Sequence, residues 1–175
     1  MSAEEELRFG DDSSELYYQH SDIGVSYSGL AKWLELGANY RLVLEKKNKD
    51  WLYTNTPHLN ATFKTDLFGR INLSDRNRLE YRDREKADDS WRYSNKFTVK
   101  APFEIKNFDF EAYVADEIFL DFDIGEFNKN RLSPGICFKL TKNLSLDVYY
   151  MWELDKKSKH WLNYNILGTQ IKLSF

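Results

Sequence analysis

A two-residue alternation of apolar and polar side chains, recurring along the whole chain, constrains this sequence more than any other feature. It is clearest in the segment that begins at His160. There Leu167, Thr169, Ile171, Leu173 and Phe175 share one face, and Tyr164, Gly168, Gln170, Lys172 and Ser174 share the other. Successive side chains of a β-strand point to opposite sides, so this period belongs to strands. A strand with one apolar and one polar face, closing on an aromatic residue, fits the last strand of a transmembrane β-barrel.

Ten segments of this kind are separated by turn-forming or charged breaks: 3–10, 15–28, 32–46, 51–67, 70–84, 90–102, 107–122, 129–140, 143–154 and 160–175. Soluble strands usually run about 5–6 residues. A tilted membrane strand needs about 9–11 and some overhang, which these lengths suit. The breaks alternate in character. Those at 28–31, 68–69, 102–106 and 141–143 are short, and those at 10–14, 46–50, 85–90, 123–129 and 155–159 are longer and more charged. Tight turns at one rim, larger loops at the other and an even strand count describe a bacterial barrel. The expected fold is all-β: a ten-stranded, antiparallel, up-and-down transmembrane β-barrel in one domain, 1–175. Pairing of the first segment with 166–175 closes it.

The outward face takes Leu34, Leu36, Ala38, Tyr40, Leu42 and Leu44, then Pro57, Leu59, Ala61, Phe63, Thr65 and Leu67. Later strands add Leu132, Pro134, Ile136, Phe138 and Leu140, then Leu144, Leu146, Val148, Tyr150 and Trp152. The complementary face is polar: Glu35, Asn39, Arg41 and Glu45, then His58, Asn60, Thr62, Lys64 and Asp66. A soluble sandwich or lipocalin-like barrel has a similar period but turns its apolar face inward. Aromatic placement separates the two readings. Trp51, Tyr53, Tyr81, Trp91, Tyr93, Phe122, Trp152 and Trp161 fall near the long loops. Tyr27, Trp33, Phe68, Phe103, Phe108 and Phe175 fall near the short turns. Two aromatic girdles around an aliphatic band mark the two interfaces of a bilayer.

Composition agrees once the period is known. Mean hydropathy is only −0.65, because a barrel strand hides its lipid face in every second residue. Aromatic residues reach 16%, while the charge is nearly balanced at a net −3. That balance lacks the basic excess of a nucleic-acid partner. Cys137 is the single cysteine, so neither an intrachain disulfide nor a cysteine-based zinc cluster is expected. The opening Met-Ser-Ala-Glu-Glu has no basic region followed by an apolar run. An export signal replaced by a start methionine is the expected explanation, with the outer membrane as destination. Expected partners are a lipid bilayer or detergent, and the barrel-assembly machinery through the C-terminal strand. The protein is expected to be a monomer.

The densest chemical constellation runs from Ser74 to Arg84. Arg76, Arg78, Glu80, Arg82 and Arg84 share the inward face. The next strand adds Arg92, Lys96 and Lys100, and the one after adds Glu111 and Glu117. A lumen ion-pair network that plugs a narrow barrel is the plain reading, with Arg76, Arg78, Arg82, Arg84, Arg92 and Lys96 paired to Glu80, Glu111 and Glu117. A site for an anion or phosphate headgroup is the sharper one, because the guanidinium fork binds oxyanions bidentately. Asp75 and Asn77 break the lipid-face pattern, which predicts a bulge or register change near Ser74. Alternation puts roughly thirteen basic and eleven acidic residues inward, a set that can satisfy itself. Ten strands lie near the size at which side chains fill the interior.

Other candidates are weaker. His20, Asp22 and Ser26 are the residue types of a hydrolase triad, without a nucleophile motif. His58 reads as a lumen residue and His160 as a loop residue. Residues 11–15, Asp-Asp-Ser-Ser-Glu, have calcium-binding chemistry without EF-hand spacing. Cys137 reads as a small lumen filler. No catalytic residue, metal or cofactor is expected.

The stretches Glu6-Leu7-Arg8-Phe9-Gly10-Asp11-Asp12, Ser74 to Arg84, Tyr113-Val114-Ala115-Asp116-Glu117-Ile118-Phe119 and Leu167 to Phe175 resemble a family of small bacterial outer-membrane barrel proteins known only as a domain of unknown function. The resemblance spans nearly the whole chain, and Asn77-Arg78-Leu79-Glu80-Tyr81-Arg82 is its most specific part. It implies an outer-membrane location in Gram-negative bacteria and an export signal. It implies no catalytic residues. The expected function is a structural barrel or narrow passive pore with a charged, largely plugged lumen. The alternatives are a soluble barrel for a hydrophobic ligand and a membrane-embedded barrel hydrolase.

Overall fold

A computed structural model describes residues 1–10, 15–47, 50–106, 108–157 and 160–175. Its elements are strands: β1 (Ser2–Gly10), β2 (Glu15–Ala31), β3 (Leu34–Lys47), β4 (Asp50–Leu67), β5 (Ile71–Arg84), β6 (Ser90–Ile105), β7 (Phe108–Asp121), β8 (Glu126–Lys139), β9 (Leu144–Lys157) and β10 (His160–Ser174). Each pairs antiparallel with its chain neighbours, and β1 pairs with β10, so the sheet is a closed barrel. The seam runs from Ser2 opposite Ser174 to Phe9 opposite Leu167. The Phe175 amide donates to the Met1 carbonyl at 2.9 Å, which extends the seam by one pair at the chain termini. Closure gives every described strand two neighbours, so none of them is an edge strand.

The apolar face points out. Leu59 is 61% exposed and Trp91 48%, and Leu36, Tyr40, Phe63, Ile136 and Trp152 are also exposed. The lumen side buries Glu6, Arg8, His20, Asp22, Arg41, His58, Arg78, Glu80, Glu117, Asp147 and Glu153. This inverts the soluble barrel, whose interior is apolar.

Strand ends and irregularities follow local chemistry. Between β4 and β5, Phe68 and Gly69 both have positive φ, 53° and 66°, and the Arg70 amide donates to the Leu67 carbonyl at 3.2 Å. Positive φ at both central residues matches the twist of the flanking strands. The turn expected at 28–31 lies instead at Lys32-Trp33, because β2 continues to Ala31. The register shifts between Tyr27 and Ala31, and the Tyr27 ring folds against Gly29, where a Cβ would meet it at 2.5 Å. Glycine thus allows a bulge that prolongs the strand. Similarly, β6 runs through Pro102 to Ile105, so the short turn predicted at 102–106 is later than expected.

The bulge expected near Ser74 is absent: β5 keeps one register with β4 and with β6 throughout. Asp75 and Asn77 face outward and are satisfied by side chains of β6. The Asn95 amide donates to Asp75 and, at 3.3 Å, to Asn77, and the Tyr93 hydroxyl donates to Asn77. A cross-strand hydrogen-bonded ladder therefore replaces a change of register. Shifts do occur at Arg8/Phe9 and at Phe119/Leu120. Pairing also skips Thr56-Pro57 between β4 and β5 and Ser133-Pro134 between β8 and β9, since proline has no N–H for the ladder.

Candidate functional site: the charged lumen

The inward faces enclose a cavity of about 520 Å³. Its lining reaches Lys47, Arg84, Asn128 and Asp155, at the long-loop ends of β3, β5, β8 and β9. In the other direction it descends to Thr62, Ser74, Lys100 and Lys172. Among the described residues, thirteen lysines and arginines and nine acidic side chains line it. Nearly all sit where period-two alternation puts them, because consecutive barrel strands keep the same inward parity unless a bulge intervenes.

On β5 and β6 the inward charges stand in a column. Glu80, 1% exposed, accepts from Arg92 Nε at 2.8 Å and Nη2 at 2.6 Å, while Arg78 Nη1 lies 3.4 Å away. Arg76 Nη2 donates to Glu117 Oε1 at 2.7 Å, an oxygen that Ser94 Oγ also reaches at 3.2 Å. Arg78 Nε donates to Asn60 at 2.8 Å. Arg82 donates to Ser90 at 2.8 Å and to Asp121, which lies outside the expected set of charges, at 2.9 Å. Arg84 turns toward the rim and donates to the backbone carbonyl of Asp88. Lys96 lines the cavity opposite both Arg76 and Glu117 in register. Glu111 departs from the expected pairing with the arginines. It lies nearer the short turns and holds Lys139 at 2.7 Å and Lys100 at 3.5 Å.

A second network, outside the expected pairs, lies on β1 to β4. Glu4 accepts from His20 Nε2 at 3.0 Å and lies 3.9 Å from Arg41. Glu6 holds Arg8, accepts from the Tyr149 hydroxyl at 2.6 Å and accepts from Gln170 at 3.1 Å. Asp22 accepts from Arg41 at 2.9 Å and from Asn39 at 2.8 Å, with His58 Nε2 at 3.5 Å. The alternating Glu4, Glu6, Arg8 was the available signal, but on a nine-residue strand it is a much shorter run than that on β5.

Tyr149 reaches Glu6 because two glycines make room for it. A Cβ at Gly168 would overlap the Tyr149 ring, and one at Gly135 would lie 2.6 Å from Tyr113 and 2.7 Å from Tyr149. Gly135 is opposite both tyrosines and Gly168 is opposite Tyr149. Large and small side chains thus interleave across β7 to β10. Elsewhere Glu153 gathers Arg131 and Lys129, at 2.6 and 2.7 Å, and Asp147 holds Lys172 at 2.7 Å. The Arg92 and Arg131 guanidinium groups lie 4.8 and 4.7 Å from the centre of the buried Phe119 ring. Cys137 is buried, opposite Asp147 and Glu111.

The triad chemistry is not brought together. His20 contacts Tyr18 and Glu4, and Asp22 serves Arg41 and Asn39. Ser26 is six residues from His20 on one strand, about 20 Å away at strand rise. Ligand atoms of Glu4, Glu6 and His20 lie within 4.8 Å of one another, the spacing of a metal site. Arg8 and Arg41 already neutralise these carboxylates. Most of residues 11–15, with their calcium-like chemistry, lies outside the described residues.

The girdle aromatics are placed around the outside. Tyr27, Trp33, Trp51, Trp91, Trp152, Trp161 and Phe175 are exposed, and Tyr81 is half-exposed against Trp91, with ring centres 5.3 Å apart. At the opposite rim Trp33 stacks on Phe63 at 5.9 Å.

Fold and lumen define a small, closed, antiparallel barrel of the kind found in bacterial outer membranes. The chain belongs to the family described as "Protein of unknown function (DUF2490)", whose model matches residues 1–164. No curated protein sequence matches it. Among solved structures it is similar to a bacterial polysaccharide outer membrane secretin, with 8% identity, TM-score 0.57 and coverage of 90% of this chain. The chain spans 57% of that protein's length. It is also similar to LpxR from Salmonella typhimurium, with 7% identity, TM-score 0.51 and full coverage of both chains. Similarity to KdgM porin has 10% identity and TM-score 0.49, over 100% of this chain and 99% of that one. The likenesses to the secretin and to LpxR describe a shared barrel architecture.

Proposed function

We propose that this protein is an outer-membrane β-barrel whose charged lumen is narrowed by cross-strand ion pairs to a small passive path. The observation that carries the reading is the inversion of faces: apolar side chains exposed outside, paired charges within. Lipid or detergent is the natural solvent for such a surface. Export to the outer membrane, insertion by barrel-assembly machinery through β10 and a monomeric state belong to the same reading. A water-filled porin lumen needs more strands, whereas ten sit near the filled limit. Cationic excess at the lining favours anions along what path remains.

Planar-bilayer recording tests this. Wild-type protein is expected to give little current or small events. Replacing Arg78 and Arg82 with Ser should enlarge the events and shift the reversal potential toward cations, because Glu80 and Asp121 lose partners. Large, stable wild-type conductance would overturn the narrowed lumen. Unchanged conductance in the double variant would remove these arginines from the constriction.

A further inference from the structure

One part of the lumen holds donors in excess of acceptors. Arg76 and Lys96 are directly opposite each other on β5 and β6, a like-charge pair that is unfavourable without an anion between them. The carboxylate they share is Glu117, and it is engaged by Arg76 and Ser94. Arg76 Nε is buried with no acceptor among the described residues. Lys96 has no carboxylate within ion-pair distance among them. Three hydroxyls adjoin this pair: Thr62 is opposite Arg76, and Ser74 is opposite Thr98 one inward step away. All five side chains line the cavity. None of the hydroxyls makes a side-chain hydrogen bond to another described residue.

We propose that Arg76, Lys96, Thr62, Ser74 and Thr98 form a binding site for a phosphate-class oxyanion inside the lumen. Arg76 and Lys96 outnumber the one carboxylate they share, Glu117, which leaves a net positive charge for an anion, and the guanidinium fork presents N–H groups to it. Hydroxyl donors on three strands suit a tetrahedral anion, which has acceptor oxygens in several directions, better than a planar carboxylate. Arg78, anchored on Asn60 and near Glu80, flanks the site on the loop side and leaves the cavity continuous past it. The inference deepens the lumen reading, since it requires the site to be reached from the long-loop mouth, where the cavity extends. A phosphate monoester in solution and a phosphate headgroup at the membrane surface share the recognised chemistry.

The test is calorimetric titration of the full chain, folded in a phosphate-free detergent at low salt, with inorganic phosphate. Saturable one-to-one binding is expected for wild type and for the turn variant Lys142→Gln. Arg76→Gln with Lys96→Gln should weaken it by about tenfold or more. Gel migration before and after boiling verifies folding, and the single Lys96→Met variant decides the matter if the double variant does not fold. Absence of saturable binding to wild type, or equal binding by the folded variants, overturns the site. Displacement by short-chain phosphatidic acid assigns the site to a headgroup, and persistence of phosphate binding assigns it to a free solute; either upholds it. Lost phosphate binding with small bilayer currents rejects this site alone. Large currents reject the narrowed lumen independently.

Discussion

On the wall built by β1 to β3, Glu4, Glu6 and Asp22 meet Arg8 and Arg41, and each carboxylate has two or more polar partners. On β5 and β6, seven cavity-lining cations share their strands with one cavity-lining carboxylate, Glu80. The first wall satisfies itself almost locally. The second takes Glu111, Glu117 and Asp121 from β7. Charge removed from water must be paired or it destabilises the fold. A wall that borrows its counter-charges is therefore both a cross-strand brace and a place where donors are left over. That difference makes the β5–β6 wall the better candidate for a ligand, and the β1–β3 wall the better candidate for a structural plug.

The largest expected effect breaks the brace. Glu80→Gln leaves Arg78 and Arg92 without their shared carboxylate. Loss of one member of a buried ionic set costs about 3–5 kcal/mol, measured by denaturant unfolding of the barrel in lipid vesicles. Glu6→Gln should cost less. Arg8 there also lies 4.3 Å from the Tyr18 ring centre, and an amide can still accept from Tyr149. Equal losses at the two sites would erase the distinction between the walls.

Next in size is a test of which face is the lumen at all. Leu36→Arg and Val148→Arg should each impair insertion, by about 2–4 kcal/mol if they lie at the bilayer midplane. Gln170→Arg, beside Glu6, should be much milder in the same refolding assay. Equal tolerance at all three positions would mean that the walls do not face inward. The smallest effect sharpens the description of the closed wall. Gly168→Ala should push the Tyr149 ring aside and release its hydroxyl from Glu6. Overpacking of this kind costs about 1–3 kcal/mol, and loss of the Tyr149–Glu6 hydrogen bond would be visible by NMR as faster exchange of the hydroxyl proton.

Much of this was legible beforehand because a barrel makes few demands that are not local. Strand period decides the face, break length decides the rim, and parity carries inward residues from one strand to the next. Hence β5 could be read as a column of Arg76, Arg78, Glu80, Arg82 and Arg84 from the chain alone. Partner choice could not. Asp121 serves Arg82 and Glu111 serves Lys139 because the stagger between neighbouring strands sets which inward residues meet. Asp75 and Asn77 looked like a break in the strand for the same reason: their remedy, Asn95, lies on the next strand.

The sequence by itself determined the alternation, the ten segments, the two rims and the sign of charge on each inward face. These are properties of a single strand and its turns. Only the tertiary structure decided that Tyr149 crosses Gly168 to reach Glu6, that the β5–β6 wall draws on β7, and that Arg76 and Lys96 stand opposite each other. Those contacts depend on register around a closed sheet. A shift of one residue moves every side chain to the other face, and a shift of two exchanges every partner.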